Sequence, residues 1–246
     1  MPSFGTPESP PLAGWPNFQA IEIDVQDPRI ARVFELRQLH GLDVRDDHDA
    51  SSMHFLVLAN VQAVGCARLT PASAAGQFPH QTDNCVKLFS ANMADSPLSH
   101  PELCLELGAL IFTQNADSPT GIYSKDDASS DHGILSVIGR RLATRQILMQ
   151  LCQAMFSKSL SNGVRYWIAV LPPLLVHALN QVGFFFKQIG PAFKNIGDAS
   201  DVAPYKVDLH HVQKIMGTSR PDLLRWIRGD GLDPRDKRGS MTNDEI

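Results

Sequence analysis

Polar and apolar positions alternate along FQAIEIDV (18–25): Ile21, Ile23 and Val25 fall between Ala20, Glu22 and Asp24. Period two predicts a half-buried strand. Asp27-Pro28 then supplies an N-cap and a proline at the first helical position, and Gly41 supplies a stop, so RIARVFELRQLH reads as a helix. After the polar stretch LDVRDDHDASS come two apolar runs, HFLVLA (54–59) and AVGCARLT (63–70). The short turn Asn60–Gln62 between them predicts an antiparallel pair. A long loop leads to CLELGALIF (104–112), a strand with an acid at its centre. Residues 113–133 are polar and turn-rich. IGRRLATRQILMQLCQAMFSKSL reads as a long helix ending before Gly163. YWIAVL (166–171) is continuously apolar, as a strand covered on both faces requires. Pro172-Pro173 ends it, LLVHALNQVG forms a helix closed by Gly183, and FFFKQI and YKVDL are strands. Beyond about residue 217 one short amphipathic helix, PDLLRWIR, precedes a charged end.

Strands that follow one another without crossovers, with helices between the later ones, predict an α/β (α+β) mixed sheet flanked by helices in a three-layer sandwich. Residues 17–216 are expected to form one domain. Residues 1–16, rich in Pro, Gly and Ser, read as a flexible arm, and 217–246 as a helix with a charged tail.

Composition narrows the function. The chain has 246 residues, 43% hydrophobic and 20% charged, enough for one sizeable core. A net charge of -4 is the opposite of a nucleic-acid binder's basic excess. No apolar run approaches the ~20 residues of a membrane span, and the N-terminus lacks the basic-then-apolar order of a signal peptide. The cysteines Cys66, Cys85, Cys104 and Cys152 form no CxxC pair, and no histidine cluster accompanies them. They read as reduced thiols of a cytoplasmic protein, and no metal site is expected.

The candidate chemistry lies where charge interrupts an apolar pattern. Glu106 sits inside CLELGALIF, opposite in phase to Leu105 and Leu107. A buried carboxylate without a partner is costly, so it is neutral, paired or used. Arg37 shares a helical face with Ile30, Val33 and Phe34, and must either snorkel or pair. Asp46 and Asp49 in the next loop are its nearest acids; the alternative is that they are a solvated acidic run. Arg68 shares strand parity with Val64 and Cys66, while Gly65 and Ala67 leave the other face bare for a close neighbour. Glu106 is the expected partner of Arg68 across the sheet.

Three segments in order, ELRQLHGLDVRDDHDASSMHFLVLA, VGCARLTP and CLELGALIF, resemble the autoinducer synthases that make acyl-homoserine lactones. They also resemble the long-chain N-acyl amino acid synthases and the exosortase-associated acyltransferases. The resemblance spans roughly residues 20–210. Each motif alone is weak, and their spacing carries the likeness. GFFFKQIGP and APYKVDL lean toward the acyl amino acid branch. The lactone synthases carry an arginine after the glutamate motif, where this chain has Gly108 and Ala109.

The resemblance implies an acetyltransferase-like fold and an N-acyltransferase. Its donor would be an acyl-carrier-protein thioester, and its acceptor the amine of an amino acid or, alternatively, S-adenosylmethionine. A non-catalytic module binding a lipid or a partner is the reading of another class. On the enzymatic reading Glu106 is the base, and Arg37, Asp46, Asp49 and Arg68 hold the acceptor. Backbone amides near Gly108 and Leu110 polarise the thioester carbonyl. No Gly-rich pyrophosphate loop opens the long helix, which reads SVIGRRLATRQ. Arg140, Arg141 and Arg145 are candidates for the carrier protein's acidic surface and the phosphopantetheine phosphate; otherwise they form an exposed basic face. Phe112, Trp167 and Phe184 are candidates for an acyl pocket, although aromatics in such places are more often plain core. No tightly bound cofactor is implied.

Overall fold

The structure, a computed structural model, describes residues 17–42, 44–74, 76–78, 100–112, 131–194 and 201–228, and in the long helix the side chains from 143 onward. Among the described residues eight strands form the sheet: β1 Phe18–Ile23, β2 Met53–Ala59, β3 Gln62–Pro71, β4 Cys104–Phe112, β5 Tyr166–Leu171, β6 Lys187–Gln188, β7 Phe193–Lys194 and β8 Asp201–Asp208. The order is β1-β2-β3-β4-β5-β8-β6, with β7 also pairing with β8. Among the described residues only the β4–β5 pair is parallel, and the long helix α2, Asp131–Ser161, lies in its crossover. The other helices are α1 Ile30–Leu39, α3 Pro173–Val182, α4 Leu209–Ser219 and α5 Pro221–Ile227. The expected mixed sheet flanked by helices is what forms.

Alternation along the strands divides the interior into two layers. On one face Phe55, Val57, Ala67, Leu69, Leu105 and Leu107 meet Ile147, Leu151 and Met155 of α2. On the other, Leu56, Cys66 and Ile111 meet Ile30, Val33, Phe34 and Leu36 of α1. The bare position at Gly65 explains how closely α2 lies. A Cβ there would stand 2.5 Å from Ile147 Cγ2 and 3.1 Å from the Ile111 carbonyl oxygen.

Three local expectations change. The first turn of α1 is tight: Ile30 N–H donates to the Asp27 carbonyl at 2.9 Å, and the α-helix starts two residues after Pro28. Its end is as expected, with Gly41 at φ 69° and Leu42 N–H donating to the Arg37 carbonyl at 3.0 Å. A bulge in β3 opposite Val57/Leu58 turns Val64 to the α2 face, away from Cys66 and Arg68. Helix α4 was not anticipated. Asp208 caps it, accepting from His210 N–H at 3.0 Å and His211 N–H at 3.1 Å.

The PDLLRWIR helix, expected outside the 17–216 domain, is α5 and belongs to the core. Leu223, Trp226 and Ile227 are buried with the α2 cluster. Gln153 Nε2 and Ser157 Oγ donate to the carbonyls of Trp226 and Ile227 at 2.7 and 2.8 Å, satisfying groups that the end of α5 leaves open. Residues 1–16 and 229–246 lie outside the described residues. No described helix is long and apolar enough to cross a membrane.

Candidate active site

Arg37, on the apolar stripe of α1, is carried under the loop that joins α1 to β2. There Asp46, Asp49, Arg37 and Arg68 form one network. Arg68 Nη1 donates to Asp46 Oδ2 at 2.6 Å and to Asp49 Oδ1 at 2.8 Å. Arg37 Nη1 donates to Asp49 Oδ1 at 2.7 Å, and its Nη2 to Asp46 Oδ2 at 3.3 Å. Two positive and two negative charges cancel inside the fold. Removing one partner from such a cluster leaves an uncompensated buried charge, a cost of about 3–5 kcal/mol.

Backbone donors fill the remaining carboxylate oxygens. Asp46 N–H donates to Asp49 Oδ2 and His48 N–H to Asp46 Oδ1, both at 2.9 Å. The loop is then tied to the sheet. Ser52 Oγ donates to the His48 carbonyl at 2.7 Å and lies 2.8 Å from Thr70 Oγ1. This changes the expected role of the acids. Asp49 is buried and its oxygens are committed, so a direct grip on a substrate ammonium by both acids is not available. Asp46, with its side chain 27% exposed, is the member at the edge.

The electrostatics agree. Burial pushes the Asp46 carboxyl up, but the Arg68 hydrogen bond and charge, with His48 N–H and Arg37, hold it below the usual carboxylate range. Burial lowers the Arg68 guanidinium, and its bonds to Asp46 and Asp49 more than reverse that.

His54 is a member that sequence reasoning missed. It is fully buried on β2, directly opposite Arg68, with Nε2 3.0 Å from the Asp49 carbonyl. Its tautomer follows: Nε2 carries the hydrogen and donates. Burial holds its pKa below the ordinary histidine value, opposed by the Asp49 hydrogen bond and charge and reinforced by Arg68 and Arg37. A neutral ring fixes the Asp49 turn without adding a third positive charge. The signal was present, because His54 opens an apolar strand much as Glu106 interrupts one.

Glu106 lies on the same face. The β3–β4 register sets it opposite Thr70, and sets Gly108 opposite Arg68. Its side chain is buried. The expected ion pair between Arg68 and Glu106 does not form: the register sets Glu106 opposite Thr70 rather than Arg68, and Arg68 Nη1 turns to the loop acids.

Two irregularities converge beside Glu106. The β4–β5 pairing covers Cys104↔Tyr166, Leu105↔Trp167 and Glu106↔Ile168 and stops there, while β5 continues pairing with β8. The β3–β4 register also shifts between Arg68↔Gly108 and Cys66↔Ile111, leaving Ala109 and Leu110 opposite Ala67. Ala109 sits at φ 47°, a conformation unusual for a residue with a Cβ. The backbone at Gly108–Leu110, where the oxyanion donors were expected, thus leaves the regular ladder at the point where the sheet opens.

The remaining candidates lie elsewhere. Trp167 and Phe184 are fully buried on the α2 face, stacked with centroids 5.4 Å apart, and Trp167 Nε1 donates to Ser159 Oγ at 2.8 Å. They are core, on the opposite side of the sheet from Glu106. Phe112 is half-buried at the end of β4, packed against that same core. Arg145 is exposed on α2, and the side chains of Arg140 and Arg141 lie outside the described residues. Among the described residues no three His, Cys, Asp or Glu side chains converge as metal ligands. Burial pushes the Cys66 and Cys104 thiols up to about 12, so both stay protonated.

No protein-family model matches the chain, and no curated protein matches its sequence. Solved structures do. The AHL synthase LasI superposes with a TM-score of 0.54 at 15% identity, covering 78% of this chain and 89% of LasI. TofI in an apo form gives 0.52 at 14%, covering 78% and 91%. FeeM, an N-acyl amino acid synthase from uncultured soil microbes, gives 0.50 at 12%, covering 81% and 94%. At these identities the likeness is one of fold.

Proposed function

We propose that the chain is an N-acyltransferase that moves a medium or long acyl group from an acyl-carrier-protein thioester to the amine of an amino acid. One observation carries this reading. A carboxylate, Glu106, is buried at the last paired residue of β4 and β5, on the face that bears Arg68, next to the Gly108–Leu110 irregularity. The fold is shared with structures described as an AHL synthase and an N-acyl amino acid synthase.

The chemistry balances as follows. An ammonium group cannot attack, so Glu106, directly or through water, accepts its proton. The neutral nitrogen adds to the thioester carbonyl carbon, and backbone N–H groups at Gly108–Leu110 stabilise the oxyanion. The added nitrogen gives up its second proton as the C–S bond breaks, the amide C–N bond is complete, one proton goes to the leaving thiolate, and the other leaves Glu106 for solvent. Arg37, Asp46, Asp49 and His54 act through Arg68, fixing its position. The carrier-protein donor fits the absence of a Gly-rich pyrophosphate loop ahead of α2, with Arg140, Arg141 and Arg145 available to an acidic carrier surface. The buried free thiols Cys66, Cys104 and Cys152 suit the reducing cytoplasm. An S-adenosylmethionine acceptor is the second reading, favoured by the likeness to LasI.

Mass spectrometry of lipids from a host expressing the chain is the test, run beside Glu106→Gln. An N-acyl amino acid is expected, falling about a hundredfold or more in the variant while the fold persists. An acyl lactone would select the second reading. No new lipid would leave a non-catalytic binding module. A variant that melts early but stays active per folded molecule would make Glu106 structural.

A further inference from the structure

Lys187 and Lys206 stand directly opposite each other across β6 and β8. On an antiparallel pair such side chains have Cβ atoms roughly 5 Å apart, and like charges there repel. Neither lysine has a hydrogen bond or an ion pair among the described residues. The neighbouring acids are taken. Asp208 meets Arg165 and caps α4, and Asp201 stands opposite Lys194. A lysine on an edge strand such as β6 discourages edge-to-edge pairing. That accounts for Lys187, but Lys206 is on β8, an interior strand of the sheet. Two unpaired ammonium groups side by side call for an anion from outside the chain.

The chain leading to this pair adds exposed apolar surface. Phe185, two residues before Lys187, is 42% exposed, while Phe184 and Phe186 are buried. It follows α3, whose outward face carries Leu174, 81% exposed, with His177 and Gln181 at helical spacing. Residues 166–186 contain no Asp, Glu, Lys or Arg, in a chain that is 20% charged. Burial explains this for β5 but not for the exposed positions Leu174, His177, Gln181 and Phe185. An exposed aromatic beside two cations, bordered by an uncharged helix face, matches a lipid headgroup layer. There the ring enters the acyl boundary while the lysine stems lie along it and their ammonium groups reach the phosphates. An acidic protein surface would match the charges but leave Leu174 and Phe185 without an apolar neighbour.

We propose that the β6–β8 edge, through Lys187, Lys206 and Phe185, binds the surface of membranes rich in anionic phospholipid. No described helix is long and apolar enough to cross a bilayer, so the contact is peripheral. The two lysines continue the row that Glu106 and Ile168 begin across β4 and β5. The patch therefore lies on the sheet face that carries Glu106, at its far edge. The inference does not rest on the acyl-transfer reading. Where that reading holds, an acylated product is released next to the bilayer that takes it up.

Co-sedimentation of the full chain with lipid vesicles tests it, comparing phosphatidylcholine alone with a mixture of phosphatidylcholine and phosphatidylglycerol. Binding to the mixed vesicles is expected to be at least about tenfold tighter and to weaken in high salt. Lys187→Gln and Lys206→Gln together are expected to cut it about tenfold or more, at about fivefold per lysine. Phe185→Ser is expected to weaken it about fivefold through the lost apolar contact. Lys158→Gln removes the same charge at the opposite edge of the sheet, where Lys158 pairs with Glu22 of β1, and is expected to leave binding unchanged. Circular dichroism checks the fold of each variant. Sedimentation with neither vesicle, equal binding to both, or binding that survives the lysine and phenylalanine substitutions overturns the proposal. So does finding that these lysines serve self-association, or the binding of an acidic protein, while vesicles do not bind. Sedimentation needs no catalysis, so a chain that binds vesicles but yields no new lipid removes the acyltransferase and leaves the membrane surface, and the converse result removes only the surface.

Discussion

Arg68 shows how much one residue's role depends on which of its atoms are already occupied. Its charge is cancelled by Asp46 and Asp49, both held on Nη1, while its buried Nε has no hydrogen-bond partner among the described residues. His54 belongs to the same logic. Its pKa is lowered in the folded state, so an unfolded chain binds the proton first as pH falls. Stability attributable to His54 is therefore intact above the unfolded value of about 6.5, declines as pH drops below it by up to about 1.4 kcal/mol per pH unit, and stops declining below the folded pKa. His54→Gln keeps a donor for the Asp49 carbonyl and cannot titrate. Its melting temperature is expected to fall less between pH 7 and about pH 5 than that of the parent chain. Parallel curves in a thermal melt series would show that His54 does not carry this dependence.

At the scale of elements, the site is made where regular pairing fails. β3 bulges at Val64, β4 bulges at Ala109, and β4 parts from β5 after Glu106. A bulge re-aims side chains and frees backbone groups, which a continuous ladder cannot do. The regular parts pay for this with tight packing, and Gly65 is the clearest case, with Ile147 of α2 seated against its backbone. Gly65→Ala is expected to destabilise by about 1–3 kcal/mol through overpacking. That corresponds to a fall in melting temperature of several degrees, measurable by calorimetry, with Ile147→Val in the same chain restoring part of it. No change would mean that α2 can move away without cost.

At the scale of the molecule, one continuous sheet carries a face that holds the candidate site and a face that packs most of the core. The α1 side holds the charged network and Glu106. The α2 side holds most of the apolar core, which extends through α3 and α4 to α5. The C-terminal helix is therefore part of the scaffold. Trp226→Ala is expected to cost about 3–5 kcal/mol, read from chemical denaturation. If α5 were an appendage, the loss would be near zero.

Local pattern sufficed for most elements, because strand alternation, the glycine stops at Gly41 and Gly183, and the Pro172-Pro173 break act within a few residues. It also picked out Arg37, Asp46, Asp49, Arg68 and Glu106, since a charge in an apolar pattern needs an explanation wherever it lies. Helix α4 stayed hidden because its Asp208 cap is also the last residue of β8, and one residue closes one pattern while opening the next. Helix α5 itself was legible, but its attachment was not, because that depends on Gln153 and Ser157, some 70 residues away in the chain. Which acid reaches Arg68 could not be read along the chain. Strand parity brought Glu106 to the right face, but the α1–β2 loop delivered Asp46 and Asp49 to Nη1, and register set Gly108 rather than Glu106 opposite Arg68. Sequence alone determines which residues must be buried and which charges then need partners. The pairing itself, and the donor edge it leaves over, is decided by distances between segments that only the folded chain brings together.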